Sequence, residues 1–236
     1  MPFTILASTV AEVDNLCNQL ITPDYQPTPL TIDKTTTING IEIHYNDELH
    51  IGPLSFNSGF VELLDLLYPG KIFNNCLDWC SGAGFIGFSL FGRNIINELT
   101  LLDTYGPAIE ACNKTISMLN TDKITTIQSD TISKLQKMNQ YDLIVGNPPW
   151  MPQYVLFDDA GKLRRNTDPE FSIHKDFFKH AKDYLTSDGK IVLLEGLFSS
   201  SPLDFKPTIE ESGMVITKLI RSDNNGPYFI VIELNT

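Results

Sequence analysis

Positive charge is what this chain has least of. Its 236 residues carry 17 Lys and Arg against 29 Asp and Glu, a formal net charge of −12 with neutral histidines. Proteins that live on phosphate backbones draw affinity from basic surfaces that release counterions, so this balance disfavours a nucleic-acid partner. A negative total still permits a local basic groove, but the one dense basic cluster, Lys162-Leu163-Arg164-Arg165, follows Asp158 and Asp159 and reads as a solvated loop. Cysteine is scarce as well, with only Cys17, Cys76, Cys80 and Cys112. Cys76 and Cys80 are the only close pair, and no histidine stands at ligand spacing beside them. Buried reduced thiols are expected rather than a metal site or a disulfide framework. Long apolar runs are missing too. Ile191-Val192-Leu193-Leu194 is far too short to cross a bilayer. The first residues, Met1 to Leu6, lack a basic region, and Glu12 and Asp14 follow soon after, which predicts no secretory signal. A cytoplasmic protein without a membrane partner is expected.

What is present is enough apolar material, 42% of residues, for one large domain with at most a small appendage. From Thr4 to Ile21, apolar residues recur at helical spacing, and Pro23, Pro27 and Pro29 then prevent continuation. Thr31–Thr37, Ile41–Tyr45 and Glu48–Ile51 read as short strands, with Asn39-Gly40 and Asn46-Asp47 as turns. Together these predict a small cap of one helix and a β-ribbon over residues 1–55. Gly59–Tyr68 reads as a helix stopped by Pro69-Gly70.

From about Lys71 the pattern alternates. Strands are predicted at Ile72–Trp79, Glu98–Leu102, Ile124–Gln128, Tyr141–Val145 and Lys190–Leu194. Helices are predicted from Gly84 to Phe91, Pro107 to Leu119, weakly up to Met138, and from Phe171 to Leu185. Such alternation implies right-handed crossovers and a largely parallel sheet. The tail breaks the rhythm: Met214–Ile220 and Tyr228–Leu234 are too close for a parallel crossover and must pair antiparallel.

Cys76 to Gly87 contains GxGxxG at Gly82, Gly84 and Gly87, between a predicted strand and a predicted helix. In that context the glycines let a tight turn bring backbone close to a ligand. Asp103 ends the next strand, where a carboxylate can accept from ribose hydroxyls. A nicotinamide dinucleotide and S-adenosylmethionine (SAM) are both served by these features. Asp78, just ahead of the turn, would repel a pyrophosphate and suits the cationic amino-acid end of SAM. Asn147-Pro148-Pro149-Trp150 closes the fourth strand and has no obvious use in a nicotinamide enzyme.

The order Asp78, Gly82, Gly84, Asp103, Asn147-Pro148-Pro149-Trp150 and a terminal antiparallel pair resembles the class I SAM-dependent methyltransferases. Within them it is similar to the branch with an Asn-Pro-Pro-aromatic signature, which acts on adenine N6 or glutamine N5. The resemblance runs from Ile72 to Thr236. It implies an α/β, Rossmann-like fold of seven mostly parallel strands with an antiparallel C-terminal pair, over residues 56–236. The cofactor set it implies is Asp78, Cys80, Gly82, Gly84, Phe85, Asp103, Asp130 and Asn147. Asp130 would face the adenine amino group, with a plain surface aspartate as the competing reading. Phe56-Asn57-Ser58-Gly59 would either close over the cofactor or form an ordinary turn and helix cap. Departures from the glutamine methyltransferases, including Trp150 in place of tyrosine, argue against transferring release-factor specificity.

The chemistry of the Asn147–Trp150 segment follows from the nucleophile. A nitrogen conjugated to a carbonyl or ring has a delocalised lone pair, and in-line attack on a methyl needs that pair aimed. Asn147 through its side-chain oxygen and Pro148 through its carbonyl can hold the two N–H bonds, and paired prolines stiffen the loop. Trp150 offers a flat face for a planar group. The expected function is N-methylation of a protein, peptide or small-molecule acceptor. RNA or DNA adenine-N6 methylation is the alternative, and a SAM-binding protein of non-methylating chemistry a third. His174 and His180, on one predicted helix, read as a partly exposed face.

Overall fold

The computed structural model describes residues 32, 34–49, 55–136, 140–152, 166–196, 199–221 and 228–235. The predicted helix Thr4–Ile21, the last two residues of the predicted strand Glu48–Ile51 and the segment 158–165 lie outside the described residues.

Strands β1 (Lys34–Ile38) and β2 (Ile41–Tyr45) form an antiparallel ribbon. Asn39 and Gly40, at φ 49° and 83°, make the two-residue turn whose twist matches paired strands. Glu48 and Leu49, expected to open a third strand, lie instead in a turn that Asn46 closes by accepting from the Leu49 N–H. Helix α1 (Ser55–Leu67) starts earlier than its apolar pattern suggested, so Phe56 to Gly59 are its first turn rather than a turn ahead of it.

Beyond α1 come β3 (Phe73–Trp79), α2 (Phe85–Gly92), β4 (Ile96–Asp103), α3 (Gly106–Leu119) and β5 (Ile124–Gln128). They continue with β6 (Tyr141–Gly146), α4 (Ser172–Ala181), β7 (Leu185–Glu195), α5 (Pro202–Glu211), β8 (Met214–Arg221) and β9 (Tyr228–Leu234). The helix expected to reach Met138 is only a 3-10 turn, Ile132–Lys134, and Met138 lies outside the described residues. The helix expected over Phe171–Leu185 ends at Ala181 and passes through a 3-10 turn, because Leu185 already pairs with Tyr141 in the sheet. Helix α5 was not foreseen, since Pro207 sits inside it. Its start was nevertheless written in Ser201 and Asp204, a reciprocal capping box.

The seven strands run in the order β5-β4-β3-β6-β7-β9-β8, parallel from β5 to β7. The tail pair is antiparallel as expected, with β9 inserted between β7 and β8. Residues of the central strands alternate between two cores. Phe73, Cys76, Val145, Val192 and Phe229 belong to the core under α1, α2 and α3. Leu77, Trp79, Ile144, Leu193 and Ile230 belong to the core under α4 and α5.

The ribbon has its own reason to be there. Helix α2 is apolar on every side and buried from Phe85 to Leu90, so the sheet alone cannot cover it. The ribbon supplies the second surface. Asn39 donates to the Ser89 hydroxyl at 2.8 Å, the His44 N–H donates to Thr115 of α3 at 2.9 Å, and Tyr45 packs edge-on against Phe85.

Candidate active site

Strand order reverses between β3 and β6: the chain builds outward from β3 to β5, then crosses back to lay β6 on the other side of β3. Ligands of open α/β sheets bind outside the strand ends at such a crevice. Here Trp79 of β3 stands beside Gly146 of β6 in register. The glycine turn that follows Trp79 and the Asn147–Trp150 segment that follows Gly146 therefore leave the sheet side by side.

The turn itself is built on backbone that side chains resist. Cys80, Gly82 and Gly84 have φ of 57°, 54° and 78°. A Cβ on Gly84 would also lie 2.6 Å from the Phe88 ring, so this position needs glycine twice over. Asp103, at the end of β4, braces the turn. One carboxylate oxygen accepts from the Gly82 N–H at 2.8 Å and the other from the Tyr105 N–H at 2.9 Å. Tyr105 in turn donates its hydroxyl to Glu48 of the ribbon's turn at 2.9 Å, a link that no sequence pattern announced.

Asp78 is fully buried. Its Oδ2 accepts from the Gly87 N–H at 2.8 Å, near the start of α2, while Oδ1 has no hydrogen-bond partner. An orphaned buried carboxylate oxygen beside a backbone-lined turn fits a cationic donor such as an ammonium group. Burial raises the Asp78 carboxyl from 3.8 to about 7, opposed by the Gly87 bond and helped by nearby Asp103. A carboxyl raised on folding adds stability that is fully present below pH 3.8 and is lost as the pH climbs through about 7. Ligand-free protein with Asp78→Asn is therefore expected to be more stable than the parent at pH 8, by about 4 kcal/mol for a shift of this size. Urea unfolding should show that gap closing towards pH 4. Parallel pH dependences in the two proteins would dismiss the idea.

The remaining predicted site residues separate into groups. Phe85, at the first turn of α2, is buried against Tyr45 of the ribbon. Cys80 is half-buried, and burial pushes its thiol well above the usual range. Cys76, Cys80 and Cys112 are all free thiols, and the described residues contain no candidate metal cluster. Cys17 lies outside the described residues. Asp130 follows β5 as an exposed carboxylate paired with Lys134 at 2.6 Å, which holds it below its ordinary value.

Pro148 is buried, whereas Asn147, Pro149 and Trp150 are half-buried. The Trp150 indole N–H donates to the Leu194 carbonyl of β7 at 3.0 Å, so one edge of the ring is anchored. His174 corrects the expectation of an exposed histidine face. It is fully buried, stacked on Phe205 at 4.5 Å and edge-on to Trp79. His180 on the same helix is only partly covered. The helical spacing of the two was legible, but it could not reveal that α5 covers the His174 side.

The profile of the family "Methyltransferase small domain" matches residues 58–212. The release factor glutamine methyltransferase of Leptospira interrogans is 33% identical over 115 residues, covering 48% of this chain and 39% of that protein. The ribosomal RNA small subunit methyltransferase C of Haemophilus influenzae is 28% identical over 141 residues, covering 60% and 38%. The chain thus spans less than half the length of these relatives. Among solved structures, a S-adenosylmethionine-dependent methyltransferase from Clostridium acetobutylicum has the same fold. It aligns with a TM-score of 0.56 and is 10% identical, covering 79% of this chain and 93% of that one. With a family profile that takes in the glycine turn, the parallel strands and the Asn147–Trp150 segment, this chain belongs to the methyltransferase small domain family.

Proposed function

We propose that this chain is a SAM-dependent N-methyltransferase acting on a planar amide or amine nitrogen of a protein, peptide or small molecule. The observation that carries the reading is the register of Trp79 against Gly146, which sets the Asn-Pro-Pro-Trp segment beside the glycine turn at the switch point. When bound, SAM supplies an electrophilic methyl on its sulfonium.

The chain's own groups do the rest. Asp103 accepts from the ribose hydroxyls while keeping the turn braced, since a carboxylate has lone-pair sites beyond the two that the backbone occupies. The orphaned Oδ1 of Asp78 takes the cationic amino-acid end. The backbone of Gly82 and Gly84 allows close approach, and Cys80 and Phe85 shape the turn from either side. Asn147 Oδ1 and the Pro148 carbonyl accept from the two N–H bonds of the acceptor nitrogen and aim its lone pair. Trp150, fixed by its bond to Leu194, offers its face to the planar group. Asp130 lies at the rim, committed to Lys134. Residues 1–55 act as a cap that covers α2 through the ribbon, with residues 56–236 forming the catalytic domain.

Protein-type acceptors are preferred over RNA because the net charge of −12 opposes binding a polyanion. Incubation with tritiated SAM and separate pools of protein extract, small molecules, tRNA and rRNA tests this. Label is expected in protein or small molecules. Label confined to RNA overturns the acceptor class and favours the RNA reading, which the name of the Haemophilus relative supports. Formation of neither labelled acceptor nor S-adenosylhomocysteine overturns methyl transfer altogether.

A further inference from the structure

Behind the proposed acceptor segment lies a buried ionic cluster that the methyl-transfer reading does not use. Asp168, His174 and Glu195 are each fully buried. His174 Nδ1 lies 2.5 Å from Asp168 Oδ2, and its Nε2 lies 3.0 Å from Glu195 Oε1. A neutral imidazole has a single N–H and could donate to only one of them. Donating to both requires the imidazolium. Asp168 also caps α4, accepting from the N–H groups of Ile173 and His174, and Glu195 Oε2 accepts from the Ser200 hydroxyl at 2.7 Å. Removing the central cation would leave two buried carboxylates facing each other, a costly arrangement.

What the cluster joins is informative. After Trp150 the chain runs out through Met151 and Pro152 and returns through Asn166 to Glu170. The two limbs are stitched by Met151 N–H to Asn166 O, Asp168 N–H to Met151 O and Glu170 N–H to Pro152 O. The outgoing limb is fastened to the end of β7 by Trp150 on the Leu194 carbonyl. It is fastened again by close packing on Gly196, where a Cβ would meet the indole at 2.5 Å. The returning limb is fastened to the same strand end by Asp168, His174 and Glu195.

We infer that His174 is a positioning residue that, as a cation bridging Asp168 and Glu195, locks both limbs of the Asn147–Trp150 loop onto β7 and so sets the acceptor pocket without touching the acceptor. The pocket assignment rests on the N-methyltransferase reading; the lock itself does not. Burial alone pushes His174 down, but Glu195 and Asp168 together hold it up at about 9. Facing it are those two carboxylates, the Ser200 hydroxyl behind Glu195, and the uncharged rings of Trp79, Phe171, Phe178 and Phe205. The Cys80 thiol lies on the β3 side, and the Tyr228 hydroxyl of β9 donates to the Ser200 carbonyl.

The test uses the whole 236-residue chain carrying 5-fluorotryptophan, whose two reporters are Trp79 and Trp150. With His174→Gln, the Trp150 resonance is expected to shift or broaden while SAM affinity stays within about 2-fold. Transfer of label to the responsive acceptor pool should fall about 20-fold or more at low acceptor and much less at saturation, as for misplaced substrate. Glu195→Gln keeps the shape and removes one counter-charge, so it supplies a second variant should the first fail to fold. In it, the pH at which the Trp150 resonance changes should lie below the value near 9 expected for the parent. An unmoved Trp150 resonance in folded His174→Gln, SAM affinity falling in step with transfer, or equal pH midpoints in Glu195→Gln and the parent would each overturn the lock. A parent protein that labels no acceptor but shows the Trp150 changes would instead overturn the transfer reading and leave the lock standing.

Discussion

Asn147→Ala is expected to lower methyl transfer by about 100- to 1000-fold, the cost of losing a group that bonds the reacting centre in the transition state. SAM affinity should stay nearly unchanged, because the carboxylates assigned to its charged and ribose ends, Asp78 and Asp103, are carried by β3 and β4. The loop itself should persist, since Pro148 and Pro149 keep their restricted φ and Trp150 keeps its bond to Leu194. Single-turnover rates alongside SAM titration by calorimetry separate the two effects. If Asn147→Ala abolished SAM binding in a normally folded protein, the division of labour between the two strand ends would be wrong.

Asp103→Ala is expected to produce the opposite pattern, with SAM affinity falling about 100-fold or more. Two contributions add. One is the loss of a charged acceptor for ribose hydroxyls, worth about 1.5–3 kcal/mol, or roughly one to two decades in affinity. The other is structural: the carboxylate holds the N–H groups of Gly82 and Tyr105, so its removal frees the turn that the cofactor must meet. Asp103→Asn keeps acceptor geometry on one oxygen and should lose less. Thermal unfolding without ligand should register the second contribution by itself. A variant with parental SAM affinity would remove Asp103 from the cofactor site.

The alternating part of the chain was legible because its signals are local. Each parallel strand from β3 to β7 contains apolar positions within a few residues of one another, and turn chemistry such as Asn39-Gly40 acts over two residues. One failure came where a distant partner decides: Leu185 leaves the helix because Tyr141 offers it a strand partner. Another was local, since Glu48 leaves the strand because Asn46 closes a turn over it. Helix α5 was obscured by Pro207 although its capping box was in plain view.

The site divides along the same line. Gly82, Gly84, Asp103 and Asn147–Trp150 are recognisable from residue type and spacing alone, because a tight turn and a stiff acceptor loop each need particular residues in a fixed local order. That sequence also specified an α/β chain with an antiparallel tail. Tertiary structure decided that β6 lies directly against β3, that β9 enters between β7 and β8, and that His174 is sealed between Asp168 and Glu195. Those outcomes depend on which faces meet across the sheet and on burial of charge by residues far away in the chain, and neither leaves a periodic trace in the sequence.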